Sequence, residues 1–171
     1  MNDSLPPPVI RSDGSSFVSV RGEFYRAVDP AHEQFALEGS RAAGRYSPEN
    51  SPTLYLSSSP EGVKAAMIKH AGSRAEQLTV LPFQVEAENI ADLRDAESMS
   101  ALGIDVNDAF NDWQAALLDG QTPSSWAVRE TLEVAGASGL IDPSRKRPGL
   151  WHLTLFSWNH DGAPSVIRAL E

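Results

Sequence analysis

Short β-type segments stand on both sides of helix-type segments in this chain, in no regular alternation, and that order narrows the fold more than any motif does. Phe17-Val18-Ser19-Val20 and Phe24-Tyr25-Arg26-Ala27-Val28 carry the aromatic and β-branched residues of strands, with a polar turn expected at Arg21-Gly22-Glu23. Residues 29–50 have little periodicity and several Gly, Pro, Ser and Asn residues, the composition of a long and therefore functional loop. Thr53-Leu54-Tyr55-Leu56 is a further strand that runs into Ser59-Pro60-Glu61. Ser59 as N-cap, Pro60 in the first helical position and Glu61 in the first turn predict a helix over 60 to about 71, stopped by Gly72. Val63, Ala66, Met67 and His70 recur at helical spacing and define one inward stripe. Residues 78–85 read as a buried strand, with 87–93 continuing as an edge strand or turn. Residues 107–118 and 124–135 read as helices, the second opened by Ser124 or Thr122 and closed by Gly136, and 153–158 as the last strand. The order of strands, helix, strands, helices and strand predicts an α+β fold: a mixed β-sheet core with packed helices, not a regular βαβ array.

The 171 residues suit one domain. Residues 1 to about 15 hold a Pro triplet and small polar residues, so they are expected to form a flexible arm outside the fold, leaving 16–171 as the domain. There is no cysteine, which removes disulfides, zinc-thiolate sites, iron–sulfur clusters and thiol nucleophiles together and points to the cytoplasm. The start, MNDSLPPPVIRSDG, lacks the basic-then-apolar pattern of a leader, and no apolar run approaches the roughly 20 residues a membrane span needs. A formal charge of −9 opposes direct binding to nucleic acid. Local arginines can still hold a small anion inside an acidic shell.

No Walker loop, GxGxxG, HExxH or GxSxG occurs. The histidines at 32, 70, 152 and 160 are scattered, and His152, between Trp151 and Leu153, reads more readily as an edge or core residue than as a base. What stands out is a set of arginines and tyrosines at strand ends and in the long loop: Arg26, Arg45, Tyr46 and Tyr55. A guanidinium offers paired donors to a pyrophosphate, and a tyrosine ring stacks on a base while its hydroxyl donates. Each residue taken singly is as ordinary as a surface ion pair or a core aromatic.

Four pieces carry a resemblance: Phe24-Tyr25-Arg26-Ala27; Gly44-Arg45-Tyr46-Ser47; Thr53-Leu54-Tyr55-Leu56 with Ser59-Pro60-Glu61; and Gly139-Leu140-Ile141-Asp142-Pro143-Ser144-Arg145, followed by Leu153-Thr154-Leu155-Phe156. In this order and at these intervals, over about residues 22 to 160, the chain resembles the RES-domain toxins. The resemblance implies an ADP-ribosyltransferase-like fold, NAD as substrate with no metal, and cleavage of the nicotinamide–ribose bond by a glycohydrolase or phosphorylase reaction. It also implies a cognate Xre-type antitoxin with a helix-turn-helix region, and self-association within the complex.

Carried over residue by residue, the resemblance implies catalytic roles for Arg26, Tyr55, position 66 and Ser144, and NAD binding by Arg26, Arg45, Tyr46, Tyr55 and Ser144. Where relatives have their glutamate this chain reads Ala66, within Ser59-Pro60-Glu61-Gly62-Val63-Lys64-Ala65-Ala66. A natural loss and a deliberate removal of the acid both fit that alanine. Glu61 is the nearest acid in the helix, but five residues away it lies on another face and suits the helix N-terminus. Two other functions stay open: a protein ADP-ribosyltransferase using the same pocket, and a non-catalytic domain that binds NAD or a partner.

Overall fold

Residues 18–28 form one strand, not two pieces around a turn. In the computed structural model, which describes residues 5–70 and 77–170, β2 runs through Val18–Val28. Gly22, expected in a turn, is instead the point where the N-terminal segment crosses the strand: a Cβ there would meet the Pro7 Cβ at 2.9 Å, and its φ of +152° is one that other residues rarely adopt. The same segment supplies β1 (Val9–Arg11), antiparallel to β2 at Val18–Val20. Arg11 anchors it further through an ion pair with Asp95 at 2.9 Å and a hydrogen bond to the Ser98 Oγ at 3.1 Å. Part of the stretch expected to lie outside the fold is thus an edge strand.

After a 3-10 turn over Pro30–Phe35, β3 spans Leu54–Ser57 and leads into α1 (Pro60–His70). The Ser59 hydroxyl accepts the Gly62 N–H at 3.0 Å, as the sequence predicts for an N-cap. Val63 and Ala65 are buried while Ala66 and Met67 are half-buried, so the covered face is broader than the expected stripe. Residues 71 and 72, expected to end the helix, and the side chain of His70 lie outside the described residues. β4 (Thr79–Asp92) joins the two predicted segments into one long strand that is central rather than an edge: β2 pairs along one side, and β7 and β5 share the other.

The helical segment expected over 107–118 is two helices, α3 (Val106–Phe110) and α4 (Trp113–Leu118), preceded by α2 (Ala96–Ala101). Asn111 is extended between them, and the Asp112 carboxylate accepts the N–H groups of Gln114 and Ala115 at 3.1 Å each, a local bond that competes with helix continuation. α5 (Ser124–Val134) starts at Pro123 without a side-chain cap, so neither Ser124 nor Thr122 caps it. β5 (Gly139–Pro143), β6 (Trp151–Leu155) and β7 (Ser165–Arg168) complete a seven-stranded mixed sheet in which β4 and β5 run parallel.

Pairings close a ring, β2–β4–β5–β6–β3, through the bridge of Tyr25 to Ser57. Inside it Phe24, Leu54, Leu56, Leu81, Phe83, Val85, Trp151 and Leu153 form the main core. On the outer face Tyr46, Ala91, Leu93, Leu140 and Phe156 make a second core with Met99, Ala109, Val128 and Leu132 of the helices. Among the described residues no helix is long and apolar enough to cross a membrane.

Candidate active site

Residues directly opposite in neighbouring strands point to the same side of a sheet. Tyr25 faces Ser57, Ser57 faces His152, and His152 faces Asp142, so these four side chains form one row on the outer face of β2, β3, β6 and β5. α1 lies over one end of the row: a Cβ on Gly62 would be 3.4 Å from the Ser57 Cβ. Position 66 is four residues on and shares the helix face of Gly62, so it also faces the sheet here. The second core with its helices covers the other end. The strip between the covers has a Ser–His pair in its floor, the Ser57 Oγ lying 2.8 Å from the His152 Nδ1.

Cations gather on the side away from α1. Asp142 is buried and accepts the Arg145 guanidinium at 3.1 Å and 3.4 Å, while Arg145 stacks 4.9 Å over the Phe110 ring. Arg45 donates to the Ala109 and Asn111 carbonyls at 3.1 Å and 2.8 Å, so both guanidiniums meet at the end of α3. Burial, and after it the Arg145 charge, lower the Arg45 pKa. An anion placed against the two would offset this lowering by its opposite charge. His152 is lowered by burial, opposed by Asp142 and assisted by Arg145. Its imidazole is therefore biased towards the neutral form at pH 7.

The loop holding Arg45 is fixed from both sides. The Tyr55 hydroxyl accepts the Tyr46 N–H at 3.2 Å and shares a hydrogen bond with the Ser47 Oγ at 2.7 Å. From α5, Trp126 Nε1 donates to the Gly44 carbonyl at 2.9 Å, Arg129 donates to that of Tyr46 at 3.1 Å, and the Ser125 hydroxyl donates to that of Arg45. Arg129, only 8% exposed, also donates to Thr53 Oγ1 at 2.6 Å and stacks over Phe156. A shallow cavity of about 420 Å³ borders Arg129, Phe156, Trp158 and His160, at the opposite ends of β3 and β6 from Ser57 and His152.

Three residues predicted from sequence meet different surroundings. Tyr46 is 1% exposed, its ring packed in the second core, so no face is open for stacking on a nicotinamide. Its hydroxyl is buried without a hydrogen bond of good geometry, although Asp142 is close enough to act on it; burial first, then Asp142, holds the phenol well above its ordinary pKa. Arg26 shares the strand face of Phe24 and Val28, opposite to that of Tyr25, and its guanidinium donates to the Ala36 carbonyl at 3.0 Å. Ser144 closes the β5–β6 hairpin, its N–H donating to Leu150 at 2.9 Å and its Oγ accepting from Arg147 at 3.2 Å. Tyr25, Ser57, Asp142, Arg145 and the α5 donors were not singled out from sequence. Among the described residues no cluster of His, Asp and Glu could hold a metal ion.

The RES domain family matches residues 23–171. The chain belongs to the RES domain family. Within the matched range of this RES domain, the four segments quoted from the sequence lie on β2, the loop before β3, the β3–α1 junction and the β5–β6 hairpin. Its fold is similar to a chain in the crystal structure of the M.tuberculosis MbcT-MbcA toxin-antitoxin complex, with a TM-score of 0.59 at 18% identity, covering 90% of this RES chain and 86% of the other. No curated protein matches the sequence.

Proposed function

We propose that this RES domain is the toxin of a toxin–antitoxin pair and acts on NAD+ in the cytoplasm, breaking the bond between nicotinamide and ribose. The observation that carries the reading is the family match over residues 23–171, joined to a sheet strip that has two guanidiniums on one side and position 66 on the other. The likeness to a chain from a toxin-antitoxin complex supports the partner half of the proposal. The partner would be a cognate Xre-type antitoxin covering the strip, with the toxin self-associating in the complex.

Breaking an N-glycosidic bond needs the dinucleotide held still and the developing positive charge on the ribose stabilised. Arg45 and Arg145 would take the pyrophosphate, replacing carbonyl and carboxylate partners with phosphate oxygens. Tyr55 holds the Arg45 loop by its hydroxyl and would wall the nicotinamide side, and Ser144 would fix the hairpin that carries Arg145. Arg26 would reach a phosphate in the strip only after giving up the Ala36 carbonyl and crossing from the core-facing side of β2 to the face of Tyr25. A carboxylate at 66 would face the strip; with Ala66 the helix supplies none.

That alanine favours a second reading, in which the strip binds NAD+ or the partner without turning it over. Calorimetric titration of NAD+ into the purified chain, with the solution then assayed for nicotinamide, separates the possibilities. Saturable binding with nicotinamide supports the enzyme, saturable binding without it the binding domain, and absence of saturable heat removes NAD+ from both. Nicotinamide release that depends on an added protein would mark an ADP-ribosyltransferase.

A further inference from the structure

We propose that His152, oriented by Ser57, is the proton-accepting group of the strip, taking the proton of the hydroxyl that replaces nicotinamide on the ribose. The inference rests on the NAD+ reading above and adds to it a catalytic residue that the family landmarks do not include. His152 sits in the middle of the row, between Ser57 at 2.8 Å and the strand position of Asp142. Its Nδ1 is engaged by the Ser57 hydroxyl, the side chain is partly exposed, and among the described residues no hydrogen-bond partner meets Nε2. A general base needs this arrangement: one nitrogen fixed, the other free towards the cleft. Ser57 is a positioning residue, held in β3 with Gly62 of α1 packed on its Cβ. The charged groups acting on the imidazole are Asp142 and Arg145, and the Asp142 carboxylate is bound to Arg145, which leaves the ring Nε2 for the ligand.

The step balances without any further reagent. The bond from C1′ to the nicotinamide nitrogen breaks, its electron pair going to the ring, which leaves neutral. A water or phosphate oxygen bonds to C1′, its proton passes to His152 Nε2, and the imidazolium returns the proton to solvent. Ser57 would accept a hydrogen bond from Nδ1–H, the tautomer that keeps the Nε2 lone pair available.

Ring nitrogen NMR on the full chain tests this, with the His152 signal assigned by its loss in His152→Gln. The expected result is an Nδ1-protonated ring at pH 7 whose Nε2 signal moves when NAD+ is added. Nicotinamide release should fall about 100-fold in His152→Gln with NAD+ affinity retained, measured in the chain as it stands or, where turnover is slow, with Ala66→Glu present in both arms. Ser57→Ala, which leaves the imidazole in place, should shift the tautomer and lower kcat more than it raises KM. An Nε2-protonated ring, a signal indifferent to saturating NAD+, or unchanged turnover in His152→Gln overturns the proposal. Failure of the NAD+ reading itself shows separately, as absence of calorimetric binding.

Discussion

A Cβ atom added to Gly44 would stand 2.7 Å from the Tyr55 hydroxyl oxygen, so the loop that carries Arg45 closes onto β3 only because residue 44 has no side chain. The same hydroxyl then accepts the next-but-one N–H, that of Tyr46. Gly44→Ala is expected to cost about 1–3 kcal/mol by overpacking. Combining it with Tyr55→Phe should recover part of that loss, because the phenylalanine removes the atom in the way. Thermal melts of the two single variants and the double variant give the coupling, and strict additivity would show that the loop relaxes around the alanine.

Tyr46→Phe removes a buried hydroxyl that has no good hydrogen bond, so the melting temperature is expected to hold or rise. A clear fall would mean that the hydroxyl bonds to Asp142 in solution.

Arg26, read from sequence as an NAD ligand, also takes part in the fold itself. Its guanidinium satisfies the Ala36 carbonyl on the core-facing side of β2. Arg26→Ala should therefore destabilise by about 1.5–3 kcal/mol, read as a lower midpoint in urea. A variant as stable as the parent that no longer binds NAD+ would restore the simple phosphate-binding role.

Burial holds the folded His152 below its ordinary value of 6.5. As pH falls, the unfolded chain takes up the proton first. This contribution to stability is complete above about 6.5 and is lost between there and the folded value, below which both states are charged. Stability should thus fall with pH across that window, and less steeply in His152→Gln than in the parent. Equal slopes for the two proteins would show that the folded imidazole titrates as freely as the unfolded one.

What the sequence disclosed follows the range of the interactions involved. The β3–α1 junction was legible because its chemistry is local, a serine hydroxyl three residues from the N–H it accepts. Arg26 could have been placed better: Val18, Val20, Phe24 and Val28 share its parity in the strand, and that alternation puts it on the apolar face. The continuity of β2 was hidden because Arg21-Gly22-Glu23 reads as a turn until Pro7 is known to pack against the glycine. The break at Asn111-Asp112 was masked by apolar spacing that fits a single helix on either side of it. The row of Ser57, His152 and Asp142 joins positions far apart in the chain, so His152 looked ordinary until strand pairing set it beside Ser57.

The central claim is that this RES domain is an NAD+-cleaving fold whose helix α1 lacks the acid at position 66, and nicotinamide release by purified Ala66→Glu tests it most directly. Position 66 shares the face of Gly62 that lies on Ser57, and it is half-buried, so a glutamate there has the strip to reach into. The variant is expected to fold, to slow growth of its host, and to release nicotinamide from NAD+ at least about 100-fold faster than the parent. A folded Ala66→Glu protein that releases none, with water, phosphate or a protein acceptor supplied, would contradict the claim.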